Sequence, residues 1–252
     1  MSAEVKFGVE FSSLIPLWRE AFGDGDEFID LFGREAYSPS RTAAIIKSCE
    51  CISMLFWFDC EHEGERIAYL YAIATKKSER GRGWCKMLMQ ATHAHLAKEG
   101  YRGCLLVPAS ESLFGFYASL GYTEHCYIDK LEAVSTEQGA PLSEISAEQY
   151  FKYRRKMLPQ HSVIQEGACM NFLKKQAKFY TGEGFLLAAR REGEELFGIE
   201  LLGEREAAGR ILCALGHKRG VFRTPGKSKK FAAYLPLDGG ASAPEYFAFA
   251  FD

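Results

Sequence analysis

Ile73-Ala74-Thr75-Lys76-Lys77-Ser78-Glu79-Arg80-Gly81-Arg82-Gly83-Trp84-Cys85-Lys86 runs from a β-rich segment through two glycines into a helical one. Upstream, Arg66–Thr75 reads as a strand, and Glu63-Gly64-Glu65 reads as the turn that joins it to another strand over Ile52–Asp59. Downstream, Trp84, Met87, Leu88, Ala91 and Ala94 recur three and four residues apart, which predicts a helix over Cys85–Glu99 with Gly100 as its stop. A strand that enters a helix through glycines leaves several backbone N–H groups free at the helix start. Those donors and the helix dipole favour phosphate, and Arg80, Arg82 and Lys86 add positive charge. A tight, solvated basic turn is the plainer alternative for Gly-x-Gly alone. The Gly-x-x-x-x-Gly-Lys-Ser/Thr loop is absent. The Gly-x-Gly-x-x-Gly dinucleotide pattern fails because position 86 is Lys.

Outward from this loop, Phe11–Phe22 reads as a helix capped by Ser12 or Ser13, with Pro16 in its first turn and an apolar stripe of Leu14, Leu17, Trp18 and Phe22. Asp26 opens a second short helix, and Thr42–Lys47 is β-rich. After the central helix come a buried strand over Arg102–Pro108, a helix over Ser110–Leu120 ended by Gly121, and a strand over Tyr122–Leu131. Residues 132–146 lose periodicity and gain turn residues, which places a linker there. Beyond it, helices are expected near 147–158 and 163–180. Strands are expected over Phe185–Arg190, Leu196–Leu202, Arg210–Leu215, Phe231–Leu237 and Tyr246–Phe251. Two helices followed by a meander is also how the first half begins, so the second half reads as a diverged copy.

Two segments in order carry a resemblance. Arg80-Gly81-Arg82-Gly83-Trp84-Cys85 is similar to the acetyl-CoA motif of the GNAT superfamily of N-acetyltransferases, Gln/Arg-x-x-Gly-x-Gly/Ala, with Cys85 departing from the final small residue. Phe116-Tyr117-Ala118-Ser119-Leu120-Gly121-Tyr122 is similar to the family's later Phe-Tyr-x-x-x-Gly-Phe/Tyr, with Ser110 where relatives often have Asn. The resemblance covers residues 7–131. It implies an α/β (α+β) fold: a mixed central sheet flanked by helices over residues 1–131, then a smaller α+β domain over 147–252. It further implies acetyl-CoA as co-substrate. The backbone of Ile73, Ala74 and Thr75 would meet the pantetheine arm, and the amides of Arg80, Gly81, Arg82, Gly83, Trp84, Cys85 and Lys86 would hold the pyrophosphate. Ser110 and Tyr117 would complete the site. A branched side chain at Gly83 is then expected to block the phosphate while leaving the fold intact.

By the same resemblance, an amine attacks the thioester directly while both substrates are bound. Tyr117 is the candidate acid for the departing thiolate, and Phe116 the core aromatic beside it. No carboxylate lies on the strand entering the loop, so the base is not assigned; Asp59 and Glu61 at the end of the preceding strand are candidates, and a base acting through water is the alternative. Tyr69 and Tyr71 share a strand face and either line the acceptor site or pack in the core. The acceptor is a small-molecule or peptide amine whose identity the sequence does not give. The competing function is a non-catalytic acyl-CoA-binding or sensing protein.

Composition excludes other classes. The 252 residues suit two domains, and a net charge of −2 provides no general field for nucleic acid or membrane. No apolar run approaches the ~20 residues that span a bilayer. Without a secretory signal pattern the expected location is the cytoplasm. Eight cysteines have no Cys-x-x-Cys pair and read as free thiols, and His93 and His95 fall on different sides of a helix, so no metal is expected. Lys227-Ser228-Lys229-Lys230 reads as a solvated basic loop. Gly220–Gly226 is the nearest second-half stretch to a glycine loop, and Pro225 suits it to a turn, so one CoA per chain is expected. Tyr246–Asp252 alternates aromatic and small residues as a half-buried strand does, with its terminal carboxylates either in water or serving as the missing base. Oligomeric state is left open, a homodimer being one option.

Overall fold

The computed structural model describes residues 3–165, 167–237, 239 and 242–251. The chain divides into two compact units, one of residues 1–123, 165–172 and 233–243, the other of residues 124–164, 173–232 and 244–252. The stretch expected as a linker falls inside the second unit, where strands occupy part of it.

The first unit is built from strands β1 (Glu4–Phe7), β2 (Thr42–Lys47), β3 (Glu50–His62), β4 (Glu65–Thr75) and β5 (Gly103–Leu106), with helices α1 (Phe11–Phe22), α2 (Asp26–Glu35), α3 (Trp84–Lys98) and α4 (Ser112–Ala118). β1 to β4 form an antiparallel run in chain order, and β5 joins β4 in parallel. Two-residue loops make both hairpins: Ser48-Cys49 (φ 52° and 65°) and Glu63-Gly64 (φ 52° and 81°). Left-handed residues at both loop positions match the twist of the flanking strands.

β3 is buried along most of its length because helices cover both faces of the sheet. On one face α3 sends Leu88, Met89 and Leu96 against Ala43, Ile45, Leu55, Trp57, Ala68 and Leu70. On the other, Trp18 of α1 and Phe32 of α2 lie with ring centroids 4.6 Å apart, and Phe56 is 5.4 Å from Trp18. Each buried aromatic of this kind removes about 150–250 Å² from water, so this layer is a main apolar anchor of the unit. α1 begins at Phe11 behind Glu10 with no side-chain cap; Ser13 Oγ bonds back to the Glu10 carbonyl at 2.7 Å. Neither serine is therefore the cap. Pro16 sits inside the helix rather than in its first turn.

The second unit contains β6 (Thr123–Val134), β7 (Leu142–Ile145), α5 (Ala147–Met157), β8 (Ile164–Gln165), α6 (Ala168–Leu173), β9 (Lys178–Gly182), β10 (Phe185–Glu192), β11 (Glu195–Gly203), α7 (Ala208–Leu215), β12 (Arg219–Pro225) and β13 (Lys229–Pro236), with parts of β8, α6 and β13 returning to the first unit. In that unit residues 233–236 of β13 pair antiparallel with β5. Within the second, the order is β6-β12-β11-β10-β9-β7, and only β11–β12 is parallel. α5 begins with a full capping box, Ser146 and Gln149 bonding each other's backbone N–H.

Several expectations fail here for local reasons. Residues 163–180 are not one helix: β8, the short α6 and the start of β9 share them. Arg210–Leu215 is helical, because Ile211 and Leu212 are buried against Leu187, Leu201 and Phe222. Six apolar-rich residues fit either period, so the pattern did not separate helix from strand. β12 (Arg219–Pro225) occupies most of the stretch that read as a turn, and β13 begins at Lys229, inside the expected basic loop. Phe247, Ala248, Phe249 and Ala250 are buried, but only Tyr246 makes a β-bridge, to Ser162. The expected strand over Tyr246–Phe251 is thus a largely buried segment that turns back on itself at Ala250, whose N–H bonds the Ala248 carbonyl at 2.9 Å, and Asp252 lies outside the described residues. No helix among the described residues is long and apolar enough to cross a membrane.

The order of antiparallel hairpin, helix and parallel strand occurs in both units: β3-β4-α3-β5 in the first, β10-β11-α7-β12 in the second.

Candidate coenzyme and catalytic site

The site begins with a defect in β4. Met54 pairs with Ala74 and Phe56 with Tyr71, so β4 carries one extra residue, and Ala72 takes φ 49° there. A bulge of this kind bends the strand and raises its twist. The pairing of β4 with β5 runs from Ile67 opposite Gly103 to Leu70 opposite Leu106. Past that point β4 continues to Thr75 on β3 alone. The edge of residues 71–75 is therefore open on the β5 side, where an extended ligand can pair with it as an added strand.

Which backbone groups face that edge follows from alternation. Ser53, fully buried, donates its hydroxyl to the Ala74 carbonyl at 2.9 Å, and Lys76 N–H bonds the Ile52 carbonyl at 2.9 Å. Ala74 is thus turned to β3, and the backbone of Thr75 is turned away from it. Ser53 Oγ also lies 2.9 Å from Thr75 Oγ1, which locks the end of the strand.

The chain then makes a short turn and enters α3. Arg80 Nε closes the turn on the Thr75 carbonyl at 3.1 Å. Gly81 and Gly83 have φ 76° and 81°, and Gly83 is the residue before the first helical turn, with no side-chain cap. The first helical bond is Met87 N–H to the Gly83 carbonyl, 3.0 Å, so the amides of Trp84, Cys85 and Lys86 have no partner within the helix. A Cβ on Gly81 or Gly83 would meet nothing within 4 Å. The geometry is a concave set of donors at the positive end of a 15-residue helix. Because Gly83 has a positive φ, a branched residue there strains the backbone as well as filling the cradle, contrary to the expectation of an intact fold.

Charge around the loop is less simple than the sequence implied. Glu79 accepts from Lys47 Nζ at 2.7 Å and from the Trp84 indole N–H at 3.0 Å, and Arg82 lies 3.3 Å away. Lys47, at the end of β2, is a cation beside the loop that sequence spacing did not associate with it.

α4 places Tyr117. Leu113, Phe114 and Tyr117 share one face, three and four residues apart, against the core of the first unit. Phe116 falls off that face and is exposed, which corrects its reading as a core residue. Tyr117 is 7% exposed and lies beside Phe116 and Tyr122 at 5.2 and 5.9 Å between ring centroids. Burial, then the neighbouring Cys85, pushes its hydroxyl pKa well up, so it stays protonated at any ordinary pH. That hydroxyl accepts and donates no hydrogen bond among the described residues. Burial raises the Cys85 thiol to about 11, against a bond from Thr75. Ser110 is exposed ahead of α4, its Oγ 2.8 Å from Ser112 Oγ.

The candidate bases fare differently. Asp59 accepts from Arg41 at 2.8 Å, from Arg66 at 2.8 Å and from the Tyr101 hydroxyl. Burial alone would raise its pKa, but these three donors outweigh it and hold the carboxyl below its ordinary value. An acid so committed is a poor proton acceptor. Glu61 stands opposite Arg66, at the far end of the hairpin from the glycine loop. Tyr69 and Tyr71 belong to the aromatic layer, Tyr71 lying 5.7 Å from Phe32 and 6.1 Å from Trp18. His93 bonds the Tyr122 hydroxyl at 2.8 Å and is held neutral by burial, while His95 stacks on Phe7.

Residues 9–124 match the sequence model of the family described as an acetyltransferase (GNAT) domain, and that part of the chain is a GNAT domain. Solved structures share the fold over nearly the whole chain. A GCN5-related N-acetyltransferase from Kribbella flavida superposes with a TM-score of 0.70 at 13% identity, covering 94% of this chain and 72% of that one. Eis1 from Mycobacterium abscessus gives 0.67 at 11%, covering 94% and 74%. A GCN5-related N-acetyltransferase from Anabaena variabilis gives 0.68 at 12%, covering 92% and 72%. No curated protein matches the sequence.

Proposed function

We propose that the protein transfers an acetyl group from acetyl-CoA to an amine in a ternary complex. The observation that carries this reading is the open β4 edge leading directly into the uncapped amides at the start of α3. An extended arm ending in a pyrophosphate suits that sequence of features, and a small free anion would need only the second. In this reading Thr75 and Ile73 offer backbone groups to the pantetheine arm. The Ala74 carbonyl, already bonded by Ser53, contributes through strand geometry instead. The amides from Arg80 to Lys86 hold the pyrophosphate. When bound, acetyl-CoA supplies an activated acetyl thioester.

The chain's own contribution to the chemistry is proton handling. Tyr117 enters protonated, and its hydroxyl has no hydrogen-bonding partner among the described residues, so it is free to donate a hydrogen bond to the departing thiolate. A thiol pKa near 8.5 makes that assistance modest, about tenfold in rate. With Asp59 engaged, removal of the amine proton falls to water or to the amine's own equilibrium with solvent.

The second unit supports one coenzyme site per chain. Its strand-to-helix connection is Gly203-Glu204-Arg205-Glu206-Ala207, while Gly220–Gly226, the nearest glycine stretch in the sequence, lies almost wholly within β12. It carries two acids, and a Cβ on Gly203 would lie 2.0 Å from the Gly184 carbonyl oxygen. No open cradle exists there for phosphate. We read this unit as a copy of the first that has lost its coenzyme loop. All eight cysteines are free thiols, which fits a reducing compartment such as the cytoplasm. Release of CoA thiol from acetyl-CoA across a panel of amines tests the reading. Acetyl-CoA binding without thiol release on any amine would favour a binding or sensing role.

A further inference from the structure

Glu79 is the one acid between Lys76 and Lys86, and it stands in a loop read as a polyanion site. Its side chain is only 14% exposed. It joins three elements: Lys47 at the end of β2 (2.7 Å), the indole N–H of Trp84, the first residue of α3 (3.0 Å), and Arg82 between the two glycines (3.3 Å). The Lys47 ammonium also lies 6.0 Å from the Trp84 ring. Neighbouring ties have the same character: Lys77 N–H donates to Glu20 at 2.6 Å, and Lys76 pairs with Glu50.

By charge alone Glu79 should oppose a diphosphate, since like charges at close range repel. Its geometry has the opposite effect. Trp84 begins the helix whose free amides form the cradle, and Gly81 and Gly83 have the most permissive backbone in the loop. A carboxylate that fixes Trp84 and Arg82 at once removes freedom that ligand binding would otherwise have to remove.

We propose that Glu79 is a positioning residue for the coenzyme's pyrophosphate, holding Trp84 and Arg82 so that the amides of residues 84–86 are open before the ligand arrives. This rests on the reading of the loop as the acetyl-CoA site. The two effects of Glu79 differ in sign, so its removal discriminates between them. Acetyl-CoA is titrated calorimetrically into wild type, Glu79→Ala, Trp84→Phe and the double variant. S-acetylpantetheine, which lacks the phosphates, serves as a second donor in turnover.

Loss of one charge-assisted bond predicts about tenfold weaker acetyl-CoA binding in Glu79→Ala. Trp84→Phe, which deletes the indole donor and keeps a ring, is expected to weaken it too. The double variant is expected to lose less affinity than the sum of the two single losses, because both changes break the same contact. In Glu79→Ala, KM for acetyl-CoA rises while kcat at saturation moves less than twofold, and kcat/KM for S-acetylpantetheine falls less than kcat/KM for acetyl-CoA. Equal or tighter acetyl-CoA binding in folded Glu79→Ala overturns the proposal, as does an equal loss with S-acetylpantetheine. Should Glu79→Ala not fold, unchanged affinity in Trp84→Phe overturns it. Failure of the wild type to bind acetyl-CoA would instead sink the functional reading, before any variant is compared.

Discussion

Arg154 and Glu200 form a two-pronged ion pair, 2.6 and 3.0 Å, with both side chains almost wholly removed from solvent. The hydroxyls of Tyr150 (2.9 Å) and Tyr246 (3.1 Å) also donate to Glu200, and the Arg154 guanidinium lies 4.3 Å from the centre of the Phe249 ring. The C-terminal segment of the second unit is thereby tied to α5 and β11. Removing one member leaves the other charge buried and unpaired, which costs about 3–5 kcal/mol. Glu200→Gln should lower the thermal midpoint by roughly 6–20 °C, while Tyr246→Phe costs about 1 kcal/mol. A midpoint in Glu200→Gln within about 2 °C of wild type would show that the pair does not hold the segment.

Tyr117→Phe should lower kcat by about tenfold and leave the acetyl-CoA dissociation constant within about twofold. The ring stays in its packed place beside Phe116 and Tyr122, so binding and stability change little. An unaltered kcat, with chemistry shown to be rate-limiting by single-turnover measurement, returns Tyr117 to a packing role.

Gly83 offers a way to fill the proposed phosphate cradle. At φ 81°, Ala costs about 1–2 kcal/mol in backbone strain and a branched residue more, which mixes folding with binding. Asn tolerates this conformation better. Gly83→Asn is therefore expected to fold with a midpoint near wild type and to bind acetyl-CoA at least about tenfold more weakly. Unchanged affinity by calorimetry would move the pyrophosphate elsewhere.

His93 makes the first unit sensitive to acid. Burial lowers its pKa to about 4, below the unfolded value of about 6.5. Between these values the unfolded chain binds more protons than the folded one, so stability is present above the upper value and declines as pH falls toward the lower. Urea midpoints measured from pH 7 to pH 4 should fall less steeply in His93→Gln than in wild type. Identical slopes would mean that His93 is not buried neutral against Tyr122.

Much of the first unit was legible in the sequence because its signals are local. The glycines between a strand and a helix, and the three- and four-residue spacing from Trp84 to Ala94, each need only a few neighbouring residues. The β4 bulge was not legible: Ala72 adopts a positive φ that alanine rarely takes, and only the pairing with β3 reveals it. The Ser48-Cys49 hairpin was hidden for the same reason, since neither residue announces a left-handed turn. Lys47 and Glu79 are 32 residues apart, so their meeting depends on the completed sheet. In the second unit, α7 read as a strand because a short apolar run fits both periods, and that misreading also concealed the connection at 203–207.

The central claim is that this chain holds one acetyl-CoA at the β4–α3 junction. Calorimetric titration of acetyl-CoA into the whole chain tests it most directly. The account predicts a single class of site at one acetyl-CoA per chain, weakened at least about tenfold in Gly83→Asn. Two sites per chain, or one site untouched by that substitution, would contradict it.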